Sequence, residues 1–178
     1  MENSDVLDSD FSGSIFTLDW REFFPLGGEH VLALRFVEGW GTDRPDPFRL
    51  GGENNADNTI FNARDYNLRG YPEGLPLLRG RRMQLASAEW RFPLHRTERT
   101  LTVPPLGISQ LSGSVFVDSG GTWDQGNSPD KYLTGAGLEL NADLALFYHL
   151  GLRLRLGYAR GFNEGGEDRI YLSIGSSF

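Results

Sequence analysis

The chain has 178 residues, 17 Lys and Arg against 24 Asp and Glu, a formal charge of −7, and no cysteine. That length suits one domain, the missing thiols exclude disulfide frameworks, Cys-ligated zinc and thiol catalysis, and the acidic balance argues against nucleic acid, which wants a basic stripe. A mean hydropathy of −0.37, with no run near the ~20 apolar residues that a spanning helix needs, means that any membrane role falls to strands.

Residues 1–10 are acidic and lack an apolar core, so they do not read as a signal peptide. The expectation is either a protein that stays inside the cell or a piece of a longer chain whose export signal lies elsewhere. From residue 13 onward, period-two alternation, the mark of strands with one apolar and one polar face, recurs seven times. In 13–23, Phe16, Leu18 and Trp20 oppose Thr17, Asp19 and Arg21. A tight turn at 25–29 leads to 30–40, where Leu32, Leu34 and Phe36 oppose Ala33 and Arg35. Residues 83–92 set Ala86, Ala88, Trp90 and Phe92 against Ser87, Glu89 and Arg91. Residues 108–118 set Leu111, Val115 and Val117 against Ser112, Ser114, Phe116 and Asp118. Residues 134–142 separate Ala136, Leu138 and Leu140 from Gly135, Gly137, Glu139 and Asn141. In 149–158, Leu150, Leu152, Leu154, Leu156 and Tyr158 oppose Arg153 and Arg155. The last run, 169–178, sets Ile170, Leu172, Ile174 and Phe178 against Tyr171, Ser173, Gly175 and Ser177.

Alternation alone fits a soluble sandwich or small barrel with its apolar face inside. Two features favour a membrane barrel. The segments match the ~9–11 residues of a tilted membrane-crossing strand. Short connections (24–29, 143–147, with 94–107 intermediate) also alternate with long ones (41–82, 119–132, 159–168), as in transmembrane barrels. Turning the leucines to lipid places Arg153 and Arg155 in a watery lumen, whereas an arginine facing lipid at mid-bilayer costs ~2–4 kcal/mol. Residues 41–82, rich in Asn, Asp, Gly, Pro and Arg, are too long for an idle connection.

Taken in order, Leu50-Gly-Gly52, Leu68-Arg-Gly-Tyr71, Ala88-Glu-Trp-Arg-Phe-Pro93, Val115-Phe-Val-Asp-Ser-Gly-Gly121, Gly135-Ala-Gly-Leu-Glu139 and a terminal Phe178 resemble the bacterial surface antigen family. This is the barrel of outer-membrane assembly factors and two-partner-secretion pores, and the resemblance runs from about Ser12 to the end. It implies an all-β fold, an antiparallel transmembrane β-barrel of which this chain is the C-terminal part, with about seven or eight strands and one long inward-folding loop. The domain division it suggests is a disordered acidic N-terminus over 1–11 and a partial outer-membrane barrel over 12–178, with 41–82 inserted into the lumen. Carried over by motif, Arg69, Gly70 and Tyr71 form the loop tip, and Glu89 and Asp118, with Phe116 beside the latter, receive it. The alternation independently puts Glu89 and Asp118 on the polar side, and a guanidinium between two carboxylates relieves their repulsion with bidentate hydrogen bonds. Tyr171, Ile174, Gly175 and Phe178 resemble a C-terminal signal read by the barrel-assembly machinery; Phe178 also suits an interfacial anchor.

The resemblance further implies a bacterial outer-membrane location, lipid contact, an unfolded or exported protein as substrate, and no enzymatic chemistry or cofactor. Seven antiparallel strands leave the first and last parallel, so the barrel is expected to be incomplete and to need a missing N-terminal half or another copy. Two other functions stay open: a barrel serving only as an outer-membrane anchor for a fused domain, and a soluble barrel binding a small apolar ligand. Phe116-Val-Asp-Ser-Gly120 also resembles the aspartic protease signature, but a single copy would require a homodimer. No Gly-x-Ser-x-Gly elbow occurs. His30, His95 and His149 lack metal-ligand spacing, and Asn54-Asn-Ala-Asp-Asn58 lacks the ordered positions of a calcium loop.

Overall fold

A computed structural model describes residues 2–3, 14–42, 48–53, 65–96, 100–102, 105–124, 126, 131–146 and 150–176. The described strands are β1 (Glu2–Asn3), β2 (Ser14–Gly27), β3 (His30–Gly41), β4 (Phe48–Leu50), β5 (Asp65–Tyr66), β6 (Arg79–Gly80), β7 (Arg82–Arg96), β8 (Thr100–Thr102), β9 (Pro105–Trp123), β10 (Leu133–Leu146), β11 (Leu150–Gly161) and β12 (Asp168–Ser176). One 3-10 turn, Pro76–Leu78, precedes β6.

The long strands form one antiparallel sheet in the order β2-β3-β7-β9-β10-β11-β12, with β1 beside β2 and β8 beside β9. Each neighbour follows the next long strand in the chain, so the sheet is a meander whose register alternation decides. A slip by one residue would move every leucine to the other face. Among the described residues the sheet is open: β12 pairs only with β11, and β2 lies at the opposite margin beside β1. A closed barrel is therefore not what these strands make by themselves. With seven antiparallel strands, β2 and β12 run the same way and cannot complete an antiparallel ladder with each other.

The strands run longer than alternation suggests. Pro93, just past the segment read from alternation as 83–92, lies inside β7, which continues to Arg96 with a register shift between Pro93 and His95. A second shift accompanies Pro25 in β2. Proline has no N–H for the ladder and is accommodated where a bulge interrupts the pairing. The intermediate connection 94–107 consequently becomes a hairpin extension, with β8 paired to the start of β9. Of residues 48–62, those at 48–53 are described, and there Phe48–Leu50 joins β5 and β6 in a separate three-stranded sheet within the loop. Of residues 1–11, only Glu2–Asn3 is described, paired with Ser14 and Ile15.

The two faces differ in kind. On one, the loop after β3 packs Phe48, Leu50, Tyr66, Leu68, Tyr71 and Leu78 against Ile15, Val37, Met83, Leu85 and Leu133 of the sheet, forming the principal core. On the other, Leu18, Trp20, Trp90, Val115, Leu138, Leu156, Leu172 and Ile174 are exposed, Leu138 to 56% and Ile174 to 67%. The leucine stripes therefore do not fill an enclosed interior, as a soluble ligand-binding barrel would require.

Candidate functional site: a buried arginine on the loop face

The site grows from the loop. Gly51 and Gly52, at φ +131° and +75°, occupy backbone conformations that favour glycine, and Gly52 N–H donates to Tyr71 O at 2.8 Å. Tyr71 is fully buried. Its hydroxyl donates to Thr134 O at 2.9 Å and accepts from Asn163 N–H at 3.2 Å, tying the loop to β10 and to the turn after β11. Between these anchors Gly70, at φ +89°, lets the backbone lie on the sheet. A Cβ there would sit 2.5 Å from Gly161 N, and one on Gly135 would sit 2.1 Å from Arg69 O.

This path drives Arg69 into the sheet, where it is 8% exposed. Its Nε donates to Asp118 Oδ2 at 2.6 Å and its Nη2 to Asp118 Oδ1 at 2.8 Å, a bidentate pair. Nη1 donates to Glu139 Oε1 at 3.0 Å and to Glu89 Oε2 at 3.2 Å, while Nη2 also reaches Ser87 Oγ at 3.5 Å. Every one of the five guanidinium N–H donors thus faces an acceptor. The guanidinium carbon lies 3.3 Å from the Phe116 ring centroid, a close cation–π contact.

The acids are supported in turn. Ser87 Oγ donates to Asp118, the Tyr171 hydroxyl to Glu139, and Arg91 Nε to Glu89 at 2.8 Å. Arg155 Nε lies 3.7 Å from Glu139 Oε2. Asp118, Glu89 and Glu139 are balanced by Arg69, Arg91 and Arg155, which suits a buried cluster, because an uncompensated charge there is costly. Burial opposes the charge on Arg69, but the Asp118 hydrogen bond and the attraction of Asp118, Glu139 and Glu89 outweigh it. The guanidinium pKa is therefore held above its ordinary value. Farther along this face Asp19 accepts from Arg21 and Arg35, each through two nitrogens, and Arg153 donates to Asp143 at 2.7 Å.

Arg69, Gly70, Tyr71, Glu89, Phe116 and Asp118 are thus brought together. Sequence reasoning missed Glu139 as a third acceptor, although its place on the polar side of its strand marked it. Tyr171, which the resemblance places in a C-terminal signal, also sends its side chain into the cluster. Ile174 lies on the opposite, exposed face, Gly175 is in β12 opposite Arg153, and Phe178 lies outside the described residues. Arg169 pairs with buried Glu53, a contact no motif signalled.

Among the described residues no group of three or more His, Cys, Asp or Glu side chains is arranged to hold a metal ion. His30 stacks against Trp90 and Phe92; His149 and Asn54-Asn-Ala-Asp-Asn58 lie outside the described residues. Both Asp118 oxygens are engaged by Arg69, an arrangement unlike two carboxylates sharing a proton. No family model and no curated protein matches this chain.

Proposed function

We propose that this chain is the C-terminal part of an outer-membrane β-barrel belonging to a bacterial protein-assembly or protein-translocation pore, with residues 41–82 folded into the lumen and locked there by Arg69. The observation that carries this reading is the division of one sheet into two unlike faces. One is exposed and rich in leucine and aromatic residues; the other bears a buried arginine among three carboxylates.

The exposed face also changes character along the strands. Towards the long-loop end its cross-strand contacts are polar: Gln84 with Glu38 at 2.9 Å, Ser119 with Thr134 at 3.1 Å, and Tyr158 with Asp168 at 2.6 Å. Below them lie Trp90, Val115, Leu138, Leu156 and Leu172. An apolar band under a polar rim is what a strand needs to pass from hydrocarbon to headgroups. The resemblance to the surface antigen family in its loop and strand motifs points the same way.

Lipid meets the leucine face in this reading, a polypeptide being assembled or exported is the substrate, and the open margins at β2 and β12 are covered by further strands of a longer chain or of another copy. Unpaired backbone in hydrocarbon costs several kcal/mol per group, about the worth of a buried hydrogen bond several times over, so these margins need partners. A barrel acting solely as an outer-membrane anchor uses the same faces, and single-channel conductance of the intact gene product separates the two. The primary test is extraction: the intact product is expected in the outer-membrane fraction and soluble only with detergent. A monodisperse detergent-free protein overturns the proposal.

A further inference from the structure

Resting on that reading of the loop, we propose that the loop also clamps the last strand, so that the lock and the β12 margin open and close as one element. Three contacts carry this. Glu167 N–H donates to Gly70 O at 2.9 Å immediately before the strand. Arg169 is paired with Glu53, which is only 5% exposed and follows the Gly51-Gly52 turn. Tyr171 donates to the same Glu139 oxygen that accepts from Arg69 Nη1.

All three fall on residues 167–171, the half of the margin nearest the long loops. The tyrosine ring occupies a space cleared for it: a Cβ on Gly157 would lie 2.2 Å from that ring. Phe116 and Ala159 complete its packing. Beyond Tyr171 the same side of the strand carries only Ser173 and Gly175, two small groups. Among the described residues the strand has β11 on one side and no neighbour on the other, so there its upper half is held by the ladder and the loop together and its lower half by the ladder. Tyr171, Glu139, Glu53 and Arg169 are positioning residues in this scheme. They transmit the state of Arg69 to the margin because Glu139 cannot keep both donors when the loop withdraws.

The test is amide hydrogen exchange by mass spectrometry on the intact chain in detergent, read on peptides covering 167–172 and 150–156, beside protease cleavage within the loop. Tyr171→Phe removes one hydroxyl and preserves the ring packing. It is expected to raise exchange in 167–172 at least about fivefold and to accelerate loop cleavage by a similar factor, with 150–156 unchanged. Glu53→Gln is expected to do the same through Arg169. Arg69→Lys is expected to raise exchange in 167–172 more than either. If Arg69→Lys releases the loop to protease while 167–172 stays protected, or if Tyr171→Phe moves neither signal, loop and strand are independent and the proposal is overturned. Flotation of the intact gene product with phospholipid vesicles is scored separately: a product that fails to float sinks the membrane reading, whereas the exchange result judges the clamp.

Discussion

Arg69 and Asp118, 49 residues apart, face each other through two N–H···O contacts of 2.6 and 2.8 Å. This bidentate geometry requires the plane of the guanidinium to align with that of the carboxylate. The alignment depends on Gly70 at the tip and on Phe116, whose ring supports the guanidinium face from the same strand as Asp118.

Replacing Arg69 by alanine removes the shared cation from Asp118, Glu89 and Glu139 and leaves buried carboxylates with too few donors. The expected cost is on the order of 3–5 kcal/mol, measured as a lower melting temperature in detergent and as new protease sites within residues 65–80. Unchanged heat stability and cleavage would remove the lock.

Gly135 is expected to accept no side chain. A Cβ at that position would lie 2.1 Å from Arg69 O, which is backbone and cannot swing aside. Gly135→Ala should displace the loop and cost about 1–3 kcal/mol, as overpacking typically does. Gly126→Ala is the comparison for added bulk: its Cβ would meet nothing within 4 Å, and its positive φ of +91° adds only a local backbone penalty. The reading is loop cleavage, which Gly135→Ala should accelerate and Gly126→Ala should not.

The exposed face gives a test that a soluble protein would not pass. Leu156→Arg places a guanidinium on a side chain that is 48% exposed. On a water-facing surface this change is nearly neutral, within about 0.5 kcal/mol. In mid-bilayer it costs ~2–4 kcal/mol. Comparing unfolding of Leu156→Arg with wild type in vesicles and again in micelles distinguishes the two cases, and a neutral result in vesicles rejects lipid contact there.

Arg21 and Arg35 stand directly opposite each other in the β2–β3 ladder, with Asp19 bridging both. Asp19→Ala leaves two like charges paired across the strands, an arrangement that destabilises a sheet by roughly 0.2–1 kcal/mol. The double change Asp19→Ala with Arg21→Gln should recover part of that loss in a denaturant titration.

Much of this arrangement could be read from residue order. The side of each strand on which a residue lies follows from period-two geometry, which is local. Leu138 and Leu156 therefore went to one face, and Glu89 and Asp118 to the other, without any knowledge of neighbours. The long polar, glycine-rich loop likewise announced that it needed partners, and the Arg69-Gly70-Tyr71 tip was marked by motif.

Distances across the sheet were decided by the tertiary structure. That Glu139 shares Arg69 with Asp118 depends on the β9–β10 register, which places Gly135 opposite Asp118 and Ser114 opposite Glu139. That Tyr171 reaches Glu139 spans two ladders and a glycine that makes room for its ring. The continuation of β7 beyond Pro93, the pairing of Glu53 with Arg169 and the open margins are likewise non-local. Alternation specifies which way a side chain points; which charge it meets is settled only when long-range pairing and the path of the loop bring the strands and the tip into one register.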